Sequence, residues 1–101
     1  MTTEQKNALI AHYWNALRAE AHYFAEHRKD KKSTKARTAY REAVAQLFAI
    51  ENLLDIIFDI ADRDKIRDGY ENLSRNDPDT LHRFIDEHYF YNETETIIPL
   101  F

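Results

Sequence analysis

Cysteine is absent from these 101 residues, glycine occurs once and proline twice. Without thiols the chain can form neither a disulfide framework nor a thiolate metal site. A single glycine rules out a glycine-rich phosphate loop, whose backbone must approach the phosphates closely. The only serines, Ser33 and Ser74, fall in expected turns with no histidine nearby, so no serine nucleophile is set up. No apolar run approaches the roughly 18 residues of a membrane span. The stretch near the N-terminus is broken by His12 and Asn15, and the opening residues lack a signal-peptide pattern. These absences lead us to expect a cytoplasmic protein without a cofactor or metal, and not an enzyme of the usual small-molecule kinds.

What is present favours helices. Charged residues make up 32% of the chain and aromatics 13%, so there are few breakers, much polar surface and large side chains for a core. The length suits one domain. The net charge of −4 conceals a strong polarity. Residues 28–41 carry Arg28, Lys29, Lys31, Lys32, Lys35, Arg37 and Arg41 against Asp30 alone, a net of +6, whereas residues 42–101 sum to −9. Such a division bears on partners more than the overall sign does.

Helical periodicity organises most of the chain. Thr2 and Gln5 have the spacing of a capping box, and Ile10, Trp14, Leu17, Ala21 and Phe24 form one stripe of a helix expected over 3–28. Between Asn7 and Ala25 that helix carries only Arg18 and Glu20 as formal charges, which predicts cover on most sides. A turn over 29–34 leads into a second helix, expected over 34–61. There Ala36, Tyr40, Ala43, Leu47, Ile50, Leu54, Ile57 and Ala61 alternate spacings of four and three. Leu53, Ile56 and Ile60 add a second apolar strip, so this helix is expected to touch more than the first one. A break is expected near 62–64, then a helix over 64–74 weakened by Gly69. Asp77-Pro78 starts a fourth helix, expected over 78–91. Residues 97–101 form an apolar tail, expected to pack back on the body. The fold class is therefore all-α: an antiparallel hairpin of two long helices joined by two shorter ones into a bundle-like single domain over 1–101. Two long helices present more apolar face than two short ones readily hide, so a two-fold homodimer is the working expectation.

Four constellations could carry function. The basic tip, residues 28–41, could contact phosphates or an acidic protein surface. The acidic residues Glu51, Asp55, Asp59 and Asp62 cluster on one flank of the second helix and could meet a basic groove on a partner, or form an ordinary solvated flank with salt bridges to Arg63 or to the third helix. Histidines lie near carboxylates, as in His22 and Glu26, but no Glu-x-x-His spacing of a helical-bundle metal site occurs. Finally, Arg83-Phe84-Ile85-Asp86-Glu87-His88 resembles the Arg-x4–6-His spacing of the HEPN ribonuclease families. Those are small helical dimers in which an Arg and a His from each protomer meet in an RNA-cutting cleft. The resemblance covers six residues and would make Arg83 and His88 catalytic. The position after the arginine, usually polar in that family, is Phe84 here, and Arg75 to His82 fits the same loose pattern.

By elimination the chain reads as a small non-catalytic protein-binding module. Its size and charge suit a stoichiometric inhibitor, an immunity or anti-defence protein, or a small regulatory subunit. The acidic strip is the first expected contact surface. RNA cleavage through Arg83 and His88 and nucleic-acid contact through the basic tip are the alternatives.

Overall fold

The first helix starts where its cap predicts. In the computed structural model, the Thr2 hydroxyl accepts from the Gln5 N–H at 3.1 Å and the Gln5 side chain accepts from the Thr2 N–H at 3.0 Å. The structure describes residues 2–58 and 60–95, and the side chains of all of these except 60, 61 and 90–95. Helix α1 runs over Thr3–Lys29 and ends on Arg28 and Lys29, cations at the negative end of its dipole. Asp30 folds the turn that follows: its carbonyl accepts from the Ser33 N–H and its carboxylate from the Lys32 N–H, both at 3.2 Å. Ser33 then caps α2, Thr34–Ile57, by accepting from the Ala36 N–H. Two long helices and a short turn give the hairpin that the periodicity implied.

The break after α2 comes earlier than expected. Phe58 is extended, at φ −116° and ψ 165°, although neither glycine nor proline is near. Leaving the helix lets the Phe58 ring pack against the core, with the Lys6 ammonium 5.7 Å above it. Helix α3 accordingly begins at Ile60 instead of 64 and reaches Asn76, passing through Gly69 without interruption. Asp77 caps α4, Pro78–Glu95, and accepts from both the backbone and the hydroxyl of Thr80. Those two hydrogen bonds hold its carboxyl below the usual carboxylate range. Helix α4 is four residues longer than expected. The expected apolar tail, 97–101, lies outside the described residues. Among the described residues there is no strand.

Helix α1 is the hub: it packs against each of the other three helices, while α2 and α4 flank it without touching each other. Ala8, Leu9, Ala11, Tyr13, Trp14, Ala16 and Leu17 are all buried, so this half of α1 is enclosed on nearly every side. Leu47 and Leu54 of α2 and Leu81 and Ile85 of α4 close the core around it. The enclosure stops there. Ala21 and Phe24, which continue the apolar stripe, are exposed. The low charge of α1 therefore reflects full cover for its first half only. Ile56, part of the second apolar strip of α2, is 82% exposed.

Trp14 joins three helices. Its indole N–H donates to the Ile66 carbonyl at 2.9 Å, and its ring lies 4.9 Å from that of Phe84. Gly69 makes this seat possible, since a Cβ there would lie 3.3 Å from the indole. Glycine in mid-helix costs about 1 kcal/mol relative to alanine, and the close approach of Trp14 is what the position gains. Gly69→Leu puts several methylenes into occupied space. We expect it to lower stability by about 1–3 kcal/mol, read as a reduced urea midpoint together with a red-shifted Trp14 emission.

Candidate functional site

The structure separates the two charged surfaces read from the sequence by drawing one of them inward. Glu51 is only 9% exposed. Its Oε2 accepts from the hydroxyl of fully buried Tyr13 at 2.8 Å and from Arg67 at 3.2 Å. One turn further along α2 the same logic holds: Asp55 accepts from Arg63 at 3.1 Å. Arg67 also reaches Glu71 at 3.7 Å, and Arg63 reaches Asp64 at the same distance. Glu51 and Asp55 thus face α3 and hold it against the hairpin. Asp62 lies at the exposed start of α3, and Asp59 lies outside the described residues. The four acids therefore do not present one continuous outward strip, and Glu51 is withdrawn from any partner. Salt bridges from this flank to Arg63 and to the third helix are among the outcomes the sequence allows; the burial of Glu51 against Tyr13 is not visible in it.

The basic tip is the opposite case. Arg28, Lys29, Lys31, Lys32, Lys35, Arg37 and Arg41 are all exposed. Among the described residues the ion pair that any of them makes is the solvent-exposed contact of Lys29 with Glu26, at 3.8 Å. The one acid within the tip, Asp30, is engaged in folding the turn. The structure also brings aromatics to this end. Phe24 packs on Tyr40 with ring centroids 5.5 Å apart, His27 stacks on Tyr40 at 5.8 Å, and the Arg28 guanidinium lies 5.8 Å above Phe24. Tyr23 and Phe24 remain 38% and 42% exposed. In the sequence these three α1 residues precede the basic cluster, and only the antiparallel hairpin sets them beside Tyr40. An open cleft of about 320 Å³ between the helices carries Glu26 and Asp30 as well as Lys29 and Lys35. Its mixed charge suits a polypeptide side chain better than a phosphate.

Arg83 and His88 do not converge within one chain. Five residues apart on α4, they point about 140° apart around the helix. Arg83 is exposed, whereas the His88 ring lies 4.4 Å from that of Phe84 and is half-buried. The other histidines are likewise engaged: Arg18 donates to Nδ1 of His82 at 2.8 Å, and His12 packs on Tyr89 with centroids 4.3 Å apart. Among the described residues no three His, Asp or Glu side chains gather as metal ligands, and no helix is long and apolar enough to cross a membrane. Comparison with known protein families, curated proteins and solved structures gives no match for this chain.

The inward-facing cluster has a measurable signature. Burial, and then the hydrogen bond to the Glu51 carboxylate, push the Tyr13 phenol well above its ordinary 10.0. Above pH 10 the unfolded chain loses the Tyr13 proton while the folded chain retains it, so stability falls as pH rises. The slope for one such group is at most about 1.4 kcal/mol per pH unit. Tyr13→Phe should remove most of this alkaline slope at a cost of about 0.5–1.5 kcal/mol at neutral pH. Urea unfolding at pH 7, 9, 10 and 11 measures both effects. Part of the slope should persist in the variant, because burial also raises the Tyr70 phenol.

Proposed function

We propose that this protein is a non-catalytic binding module that engages an acidic surface of a protein partner through its basic hairpin tip, as a stoichiometric inhibitor, immunity protein or small regulatory subunit would. The observation that carries this reading is the contrast in how the two charge clusters are used. Glu51 and Asp55 are tied to arginines within the fold, while seven cations stand outward at the tip beside exposed Tyr23 and Phe24. An arginine and aromatics in a rim of lysines is the composition of interface anchors. The cations steer an acidic partner in, and the aromatics supply the contact that outlasts screening. This moves the expected contact surface from the acidic strip to residues 28–41.

Phosphate contact by the same tip is less favoured, because the rest of the chain carries a net charge of −10 that repels a polyanion long enough to reach it. Four changes at once, Lys29→Glu, Lys31→Glu, Lys32→Glu and Lys35→Glu, should abolish retention of acidic proteins from a native lysate while leaving the circular dichroism spectrum intact. Phe24→Ala should weaken the same retention about tenfold, in line with loss of an aromatic anchor. Wild-type protein should bind a single-stranded RNA oligonucleotide only at low salt and leave it uncut, with Arg83→Ala and His88→Ala behaving as wild type. Tight RNA binding at physiological salt, with protein retention unaffected by the reversals, would transfer the tip to phosphate recognition.

A further inference from the structure

We propose that the partner engaged at the tip presents an amphipathic α-helix, which lies along the open groove between α1 and α2 with its acidic end at the tip lysines. This rests on the reading of the tip as a protein-binding surface and adds where the contact goes from there. Three cavities, of about 320, 240 and 300 Å³, follow one another along one side of the seam between α1 and α2. Tyr23 and Ala39 line both the first and the second, and Gln46 lines both the second and the third. Facing residues keep a single antiparallel register: Tyr23 with Ala39, Ala19 with Ala43, and His12 with Ile50. The cavities are therefore one groove, running from the turn to the point where Tyr89 of α4 packs on His12. Between Ala36 and Ile50 the helical rise makes it about 21 Å long, the length of about 14 helical residues.

The walls and the charge of the groove select its occupant. Each wall is a helix whose backbone groups are already bonded along its own length, so an extended peptide buried there would find no partners for its N–H and C=O groups. A helix satisfies these groups internally and lays one apolar face into such a groove. Ala19, Ala39, Ala43 and Ala49 keep the walls low, which lets helix axes come close. The charge changes along the groove. At the tip end, Glu26 is matched by Lys29 and Asp30 is bonded within the turn, while Lys35 makes no ion pair among the described residues. Half-way along, exposed Glu42 is the one formal charge of the second cavity. The third cavity has no carboxylate, lysine or arginine. The complementary helix is acidic over the tip, basic at its middle and uncharged at its far end, with an apolar stripe beneath.

The probe is a labelled peptide of about 16 residues, held helical by a side-chain staple, with Glu in one terminal turn, a Lys at the centre and a Leu stripe at helical spacing. Fluorescence anisotropy should show saturable binding below about 1 mM. Replacing the Leu stripe by Gln, with every charge kept, should weaken binding at least about tenfold. Ala49→Glu should do the same and leave the circular dichroism spectrum intact, since Ala49 is exposed and lies at the groove's far end from the tip lysines. In NMR titrations the amides of Ala19, Ala39 and Ala43 should shift, and those of Phe48 and Asn52, exposed on another side of α2, should not. The two readings fail separately. If the four tip reversals abolish binding while the Gln-stripe peptide and Ala49→Glu bind as tightly as the originals, the tip alone is the contact and the groove proposal is overturned. If the reversals leave peptide binding unchanged, the tip reading falls and this proposal with it. Absence of binding would overturn it as well. So would movement of the same amides without peptide, either with protein concentration, which marks a second copy in the groove, or on joint Leu100→Ser and Phe101→Ser substitution, which marks the chain's own C-terminal residues there.

Discussion

A buried carboxylate ties three helices together, and much of the architecture follows from what it requires. Glu51 projects from α2 into the space where Tyr13 of α1 and Arg67 of α3 converge. A charge so placed costs several kcal/mol unless it is hydrogen-bonded and paired, and a charge-assisted hydrogen bond returns about 1.5–3 kcal/mol. The sum is close to balance, so the cluster adds little stability beyond what an apolar trio of the same volume would give. It does penalise alternatives. Sliding α1 by one turn against α2 would strand the Tyr13 hydroxyl, and rotating α3 would strand Glu51. With α1 so rich in alanine, apolar packing alone distinguishes these registers poorly, and the polar contact singles one out. Trp14, next in sequence to Tyr13, reinforces the choice by bonding to the carbonyl of Ile66, the residue before Arg67.

Once α3 is held through Arg63 and Arg67, the surface charge is largely decided. Those arginines neutralise Asp55 and Glu51 inside the seam, so the acids of α2 stop being an outward feature. No equivalent acid is supplied to the lysines of the tip. Asp30 is consumed by the turn, and Glu26 meets only Lys29 in solvent, where such a pair contributes at most about 1 kcal/mol. The polarity visible as a charge count becomes a polarity of availability: the positive charge can be offered to a partner, and a good part of the negative charge cannot.

The parts of the fold that could be read from the sequence are those written in local chemistry. The caps at Thr2, Ser33 and Asp77 and the four-three alternation from Ala36 to Ile57 placed four helices and their hairpin order. The break at Phe58 was misplaced because no local breaker causes it; a ring finding the core does, and that is a tertiary gain. Tyr13 was overlooked for a related reason. It lies beside the chosen stripe of α1, and only cover from more than one helix makes a flanking position as buried as a central one. For Glu51 and Asp55 a helical wheel gives the angle of the side chain and admits both an outward strip and pairing with Arg63 or α3; the packing of α3 decides for the pairing. The place of Phe24 and His27 at the tip is hidden by their sequence distance from Tyr40.

The uneven cover of α1 joins these points. Its first half is buried among the other helices, whereas residues 21–26 are all exposed. An isolated two-helix arm is held by few apolar contacts, and such regions open at a small fraction of the global free energy. The stacked rings of Phe24, Tyr40 and His27 offset this by locking the arm within two turns of its end. Their effect is to present the lysines on a preordered support instead of a fraying one, which lowers the ordering cost of any contact made there. A solvated turn that served only to reverse the chain would need neither the aromatic brace nor the exposed ring faces beside it. The brace therefore fixes the shape of the tip independently of its charge.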